Sequence, residues 1–254
     1  MDRELFIQPS VRIRNLEKKL LTKSQFERLY EADDLQDSIR HLNETVYSED
    51  LAKIDRAENF EIALSSSLNK TYSEVLSFCP VKELVDVLTY RFAFHNIKVA
   101  VKEKILQEDF EHIYSKVHYE DLDNLRKQFE TEKGEKGTWY EDTVIQAYKT
   151  FEETKDPEKI EFFIDKRYFE KVLEISKKFG LDLVEEYFRA MIDFVNIRTF
   201  IRCKRQEQDI SVLKEALIQG GYIDIDDAVS LCCPGWSQTP GLKQFSSPVS
   251  YTHL

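Results

Sequence analysis

Seven glycines and six prolines are all that punctuate 254 residues. Tight turns draw on these two residue types, because glycine reaches positive φ and proline presets the turn backbone. A sheet protein of this length needs many such turns. A chain poor in them, and rich in Leu, Glu and Lys, suits long helices joined by short loops. Apolar residues make up 42% of the chain, enough to bury a real core, and charged residues make up 33%, above the quarter usual for globular domains. The expected fold class is all-α.

Helical periodicity runs through most of the chain. Ile13, Leu16 and Leu20 recur at spacings of three and four. Thr22 followed by Gln25 fits a capping box, in which each side chain satisfies an exposed backbone N–H, and Phe26, Leu29 and Tyr30 form the next apolar stripe. Asp33 or Asp34 can cap a third short helix carrying Leu35, Ile39 and Leu42. Pro80 stands just before a longer helix predicted over Val81–Leu106, with Leu84, Leu88, Phe92, His95 and Val99 on one face. The charged segment over 108–129 reads as helical, and Gly134 and Gly137 mark a loop. Helix resumes at YEDTVIQAYKTFEET and ends near Pro157, and Gly180 separates Phe162–Phe179 from Leu183–Arg205. In the latter, Val184, Tyr187, Phe188, Met191, Ile192 and Val195 form a broad apolar stripe. Gly220 and Gly221 end a helix over Leu213–Gln219.

An internal repeat is visible at an offset of 100 residues. DVLTYRFAFHNIKVAVKEK, from Asp86, resembles EYFRAMIDFVNIRTFIRCKRQ, from Glu186, with Asn96 on Asn196, Ile97 on Ile197 and Lys98 on Arg198. A helical segment precedes each copy. A unit recurring at this spacing implies similar lobes, each burying its own helix faces.

The character of the chain changes near residue 229. All 47 acidic residues lie before it, and of 36 Lys and Arg only Lys243 lies after it. Pro234, Pro240 and Pro248, half of the prolines, also lie after it. We expect residues 229–254 to be an unrelated stretch that does not pack on the body. AVSLCCPGWSQTPGLKQFSS resembles a translated Alu-type repeat, and the final PVSYTHL resembles a frame read through linker sequence.

Charge and motifs narrow the function. The net charge of −11 disfavours nucleic acid, whose binding rests on neutralising phosphates. The opening MDRELFIQPSVRIR lacks the apolar stretch of a secretory signal, so the expected setting is reducing and cytoplasmic. No 18-residue apolar run exists. No phosphate-binding G-x-x-x-x-G-K-[ST] and no G-x-G-x-x-G occurs, and no histidine has a Glu three residues before it, as a helical di-iron site needs. No cofactor, catalytic residue or small-molecule substrate is expected.

Several polar groups carry two readings each. Asp109, His112 and His118 put metal-ligand types near one another, against a solvated charged face. His95 lies on an apolar stripe, as hydrogen-bonded core histidines do. Cys79 and Cys203 read as ordinary thiols, and Cys232 and Cys233 lack zinc-site spacing. Arg12, Arg14, Lys18 and Lys19 can face lipid headgroups or solvent. Lys204 and Arg205 extend a helix end and suit its dipole.

The opening VRIRNLEKKLLTKSQFERLYEADDLQDSIRHLNETVY, the two Asn-Ile-basic helices and the passage LIQGGYIDIDDAV together resemble the C subunit of V-type and A-type rotary ATPases, called d in the vacuolar enzyme. The family element D-x-x-N-[IL]-[KR] stands here as Asp193 to Arg198, and Ala93 replaces the Asp in the first copy. The likeness covers about residues 5–228. It implies a funnel of three similar helical lobes, of which two and the start of a third are present: 1–115, then 116–228, followed by the foreign stretch 229–254. It also implies a non-catalytic subunit, peripheral on the cytoplasmic face of the membrane. Such a subunit takes the foot of the central stalk and sits on the proteolipid c-ring, so coupling ATP hydrolysis or synthesis to ion transport. Asn96, Lys98, Asn196, Arg198 and Arg202 become candidate stalk contacts. The other reading of the asparagines is a hydrogen bond to backbone within each lobe. The alternative at the level of function is a generic helical scaffold or adaptor, which predicts a repeat of 30–45 residues rather than one near 100.

Overall fold

The computed structural model describes residues 4–115, 117, 122–131, 138 and 140–232. Among them every regular element is helical. The chain divides into two compact units, residues 1–135 and 136–254.

The first unit opens with short helices. α1 (Ile7–Glu17) stops before Leu20, which lies in the following turn rather than on the predicted face. α2 (Lys23–Tyr30) starts from the predicted capping box: Thr22 Oγ1 accepts from Gln25 N at 3.3 Å, and Gln25 Oε1 accepts from Thr22 N at 2.8 Å. Of the two candidate caps for α3 (Leu35–Leu42), Asp34 takes the role, accepting from Asp37 N at 2.8 Å. α4 (Ser48–Leu51) is pinned to α5 (Phe60–Phe78) through Asp50, a buried carboxylate 2.8 Å from Lys70 Nζ and 2.9 Å from Ser66 Oγ. Burial pushes the Asp50 carboxyl up, but the hydrogen bonds from Lys70, Lys53 and Ser66 outweigh it and hold it below the usual carboxylate range.

α6 (Glu83–Leu106) is the spine of this unit, and its burial centres on a side other than the expected one, of which Val99 is buried and Leu84, Phe92 and His95 half-buried. Tyr90, Phe94, Ile97 and Val101 are buried, whereas Leu88 is 50% exposed. Both sides of α6 are apolar, so periodicity could not choose between them. The segment after it is less helical than expected. Only a 3₁₀ turn, Glu111–Ile113, precedes α7 (Leu122–Thr131), and the glycine loop at 134 and 137 lies outside the described residues. α7 packs on α6 and therefore belongs to the first unit, although the sequence placed it beyond a boundary at 115/116. Arg126 of α7 makes a two-pronged ion pair with Glu103 of α6, at 3.0 and 2.7 Å. The Tyr114 hydroxyl donates to the same carboxylate at 2.6 Å. Burial raises the Glu103 carboxyl, and these donors, with Phe110 N–H, more than offset it.

In the second unit, α8 (Glu141–Thr154) ends at Lys155 in the left-handed region, φ 52°. α9 (Pro157–Phe179) begins with proline in its first turn, capped by Asp156, and ends at Gly180, φ 62°, which lets Leu181 N–H return to Ser176 O. α9 packs against both α8 and α10 (Asp182–Arg205). Phe188, Ile192 and Cys203 face inward from α10; Tyr187, expected to lie on the apolar core stripe, faces outward. α11 (Ile210–Ala216) stops short of the glycines expected to end it, for a reason that lies in Asn196 and is given below. α12 (Ile225–Cys232) crosses residue 229, and Val229 is buried with Cys203, Leu213, Leu217 and Ile225. Residues 233–254, with Cys233 and most of the stretch expected to be foreign, lie outside the described residues.

Candidate functional site

The polar groups that the repeat singles out do the same thing in both copies. Asn96 is 5% exposed and closes a two-bond clamp on one backbone residue: its Nδ2 donates to Ser115 O at 2.9 Å, and its Oδ1 accepts from Ser115 N at 2.8 Å. Asn196 does this to Ile218, with Nδ2 donating to Ile218 O at 2.8 Å and Oδ1 accepting from Ile218 N at 2.9 Å. An amide side chain carries a donor and an acceptor side by side, which matches the N–H and C=O that one backbone residue turns to the same side. Each repeat thus uses its Asn to dock the strap that follows the helix. In the second copy this also explains α11. With both backbone groups of Ile218 taken by Asn196, Leu217 turns to extended φ/ψ and the helix ends before Gly220.

Each clamp has one neighbour that differs between the copies. In the first, the His95 ring Nε2 lies 3.0 Å from Ile113 O, so this histidine is tied to backbone in the same strap. In the second, Asp193 accepts from Tyr222 N at 3.0 Å and Ile223 N at 3.1 Å. Gly221 is required there, because a Cβ on it would collide with Asp193 Oδ1. Arg189, one turn earlier, donates to Gly221 O at 3.1 Å and stacks over the Tyr222 ring at 4.7 Å. The D-x-x-N element and the G-G passage, 20-odd residues apart in sequence, are therefore two halves of one contact. Sequence reasoning missed Arg189 and the role of Asp193; the only signal was their spacing of four, with Asn196 three further on, which lines one helix face.

The remaining candidates differ in exposure and in pairing. Lys98 is half-buried and Arg198 exposed. Arg202 lies 3.9 Å from Glu158. Asp109 is used by Arg126 at 3.3 Å and by Glu111 N at 2.9 Å, and His118 lies outside the described residues. Among the described residues no group of His, Cys, Asp and Glu is arranged to hold a metal ion. Cys203 is buried and its thiol is pushed up by that burial, away from reactivity. No described helix is long and apolar enough to cross a membrane.

Comparison with known proteins accords with this arrangement. The family model of the ATP synthase (C/AC39) subunit matches residues 9–237. The C subunit of the V-type sodium ATPase of Enterococcus hirae is 25% identical over 98% of this chain and 74% of that protein. The C subunit of the A-type ATP synthase of Thermococcus gammatolerans is 29% identical over 88% of this chain and 63% of that protein. That of a Desulfurococcus species is 28% identical over 86% of this chain and 62% of that protein. The chain thus spans roughly three-fifths to three-quarters of the length of these relatives. No solved structure matches it. With a family match that runs through both Asn-clamped repeats, the chain belongs to the ATP synthase (C/AC39) subunit family, that of the C subunits of V-type and A-type ATPases.

Proposed function

We propose that the chain serves as a non-catalytic coupling subunit of a V-type or A-type rotary ATPase. In this reading it sits at the cytoplasmic face of the membrane, between the foot of the central stalk and the proteolipid c-ring, and passes torque that links ATP hydrolysis or synthesis to ion transport. The observation that carries it is the family match over 9–237. The helical build supports it. A torque-bearing part must be stiff, and here the straps between helices are tied down by side-chain clamps rather than left as free loops. The role of Asn96 and Asn196 in such a part is to hold the straps in place, since their amides are spent on backbone. Lys98, Arg198 and Arg202 are the side chains we assign to the stalk, which they would meet as charges rather than as chemistry.

A triple charge reversal, Lys98→Glu with Arg198→Glu and Arg202→Glu, should weaken binding to purified central-stalk subunits at least tenfold. The loss should be largest at low salt, where exposed charges are least screened. Unchanged affinity, with the helical content of the variant intact by circular dichroism, would remove these residues from the stalk site.

A further inference from the structure

α2 is tied to α3 through a histidine. Arg28, on α2, reaches across with both prongs of its guanidinium. Nη1 donates to Glu44 at 2.8 Å, in the turn that follows α3, and Nη2 lies 2.9 Å from Nδ1 of His41, on α3 itself. On the far side of the ring, His41 Nε2 lies 3.4 Å from Asp37 Oδ2, and the other Asp37 oxygen accepts from Arg40 at 2.8 Å. The ring is half-buried, and with Arg28 it lines a small hollow shared with Leu21, Leu29 and Leu42. The 3₁₀ turn Ala57–Asn59 also packs on α3; its titratable group, Glu58, is exposed and makes no ion pair with the ring. An arginine carries N–H donors and no acceptor. His41 Nδ1 therefore has to accept from Arg28, which leaves the ring proton on Nε2, the nitrogen that faces the Asp37 carboxylate. Two independent contacts thus name the same neutral tautomer.

We infer that His41 is a proton-operated latch between α2 and α3, closed on Arg28 while the ring is neutral and released when the ring takes up a second proton. That proton goes onto Nδ1, the nitrogen that Arg28 uses. N–H then faces N–H and cation faces cation, so the contact turns from a hydrogen bond into a repulsion. Arg28 keeps Glu44, and the ring keeps Asp37, but the bond that joins the two helices is lost. Histidine changes its charge between pH 5 and 8, whereas carboxylates and guanidinium groups ordinarily keep theirs across that window. The hydrogen bond from Arg28 holds the Glu44 carboxyl lower still. The ring is thus the member of the set that switches. The direction follows from which form the contact needs. The latch adds stability at pH 8, where the ring is neutral, and that stability is lost as pH falls and the ring becomes charged.

Two measurements on the full chain test this. Long-range 15N–1H NMR at pH 8 should find His41 with its proton on Nε2. Native-state hydrogen exchange should then report the latch through the protection factors of the α2 amides. At pH 8, His41→Ala should lower them about threefold, the size of one partly exposed charged contact, while His41→Asn should leave them near the wild-type level, because its side-chain oxygen offers Arg28 an acceptor in place of Nδ1. At pH 5 the wild type should fall to the level of His41→Ala. His41→Asn should hold its protection there, since its amide does not titrate, and this separates His41 from every other histidine in the chain. A proton found on Nδ1 at pH 8 would overturn the proposal. So would a His41→Ala chain as protected as the wild type at pH 8, wild-type protection equal at the two pH values, or a His41→Asn chain that loses protection in step with the wild type.

Discussion

Replacing Asn96 by Ala should destabilise the protein by about 2–4 kcal/mol. The variant loses two hydrogen bonds, each worth on the order of 1 kcal/mol net, and leaves the N–H and C=O of half-buried Ser115 without this partner, which costs up to about 2 kcal/mol more. In thermal unfolding this corresponds to a fall in Tm on the order of 10 °C. Asn96→Asp separates the clamp from mere size. The carboxylate still accepts from Ser115 N–H, but its second oxygen faces the Ser115 carbonyl and repels it. Protonation turns that oxygen into a donor, so the folded state raises the carboxyl's pKa. The stability of Asn96→Asp should therefore fall as pH rises through the carboxylate range and recover on acidification. Asn196→Ala should act in the same direction with a smaller effect, because Asn196 is only half-buried. A change below about 0.5 kcal/mol for Asn96→Ala, the range of ordinary surface substitutions, would show that the strap is held by something else.

The second large effect concerns which side of α6 faces the core. Ile97→Ala should cost about 2–5 kcal/mol, the transfer and cavity terms for a fully buried aliphatic side chain. Leu88→Ala, on the other side of the same helix, should cost less than about 1 kcal/mol. Urea unfolding of the two variants side by side decides the matter. Equal losses, or a larger loss at Leu88, would turn the helix over.

That contrast shows where the sequence was legible. The all-α fold, the Thr22–Gln25 box, the Asp34 cap and the Gly180 break were all readable, because each rests on local chemistry between residues close in sequence. The inward face of α6 was not. The helix is apolar nearly all round, and only its neighbours decide which side is covered. The end of α11 was misplaced for a related reason. Gly220 and Gly221 are good helix stops, but Asn196 had already claimed the backbone of Ile218 from 22 residues away. The clamps themselves were half legible. The repeat put Asn96 and Asn196 in register and left two roles open, stalk contact or backbone tie, and nothing in the spacing names the strap residue that each Asn binds. Asp193 was noted as part of a motif, whereas Gly221, whose missing Cβ leaves room for the Asp193 carboxylate, was noted only as a helix breaker. A side-chain oxygen meeting a glycine backbone leaves no trace in periodicity.

The central claim, a coupling role in a rotary ATPase, is tested most directly by sedimentation velocity of the full chain mixed with purified central-stalk subunits of a V-type ATPase, with a full-length relative such as that of Enterococcus hirae run in parallel. The account predicts that the chain moves with the stalk as a defined complex, as the longer protein does. A chain that sediments alone under conditions in which the longer protein binds would contradict it.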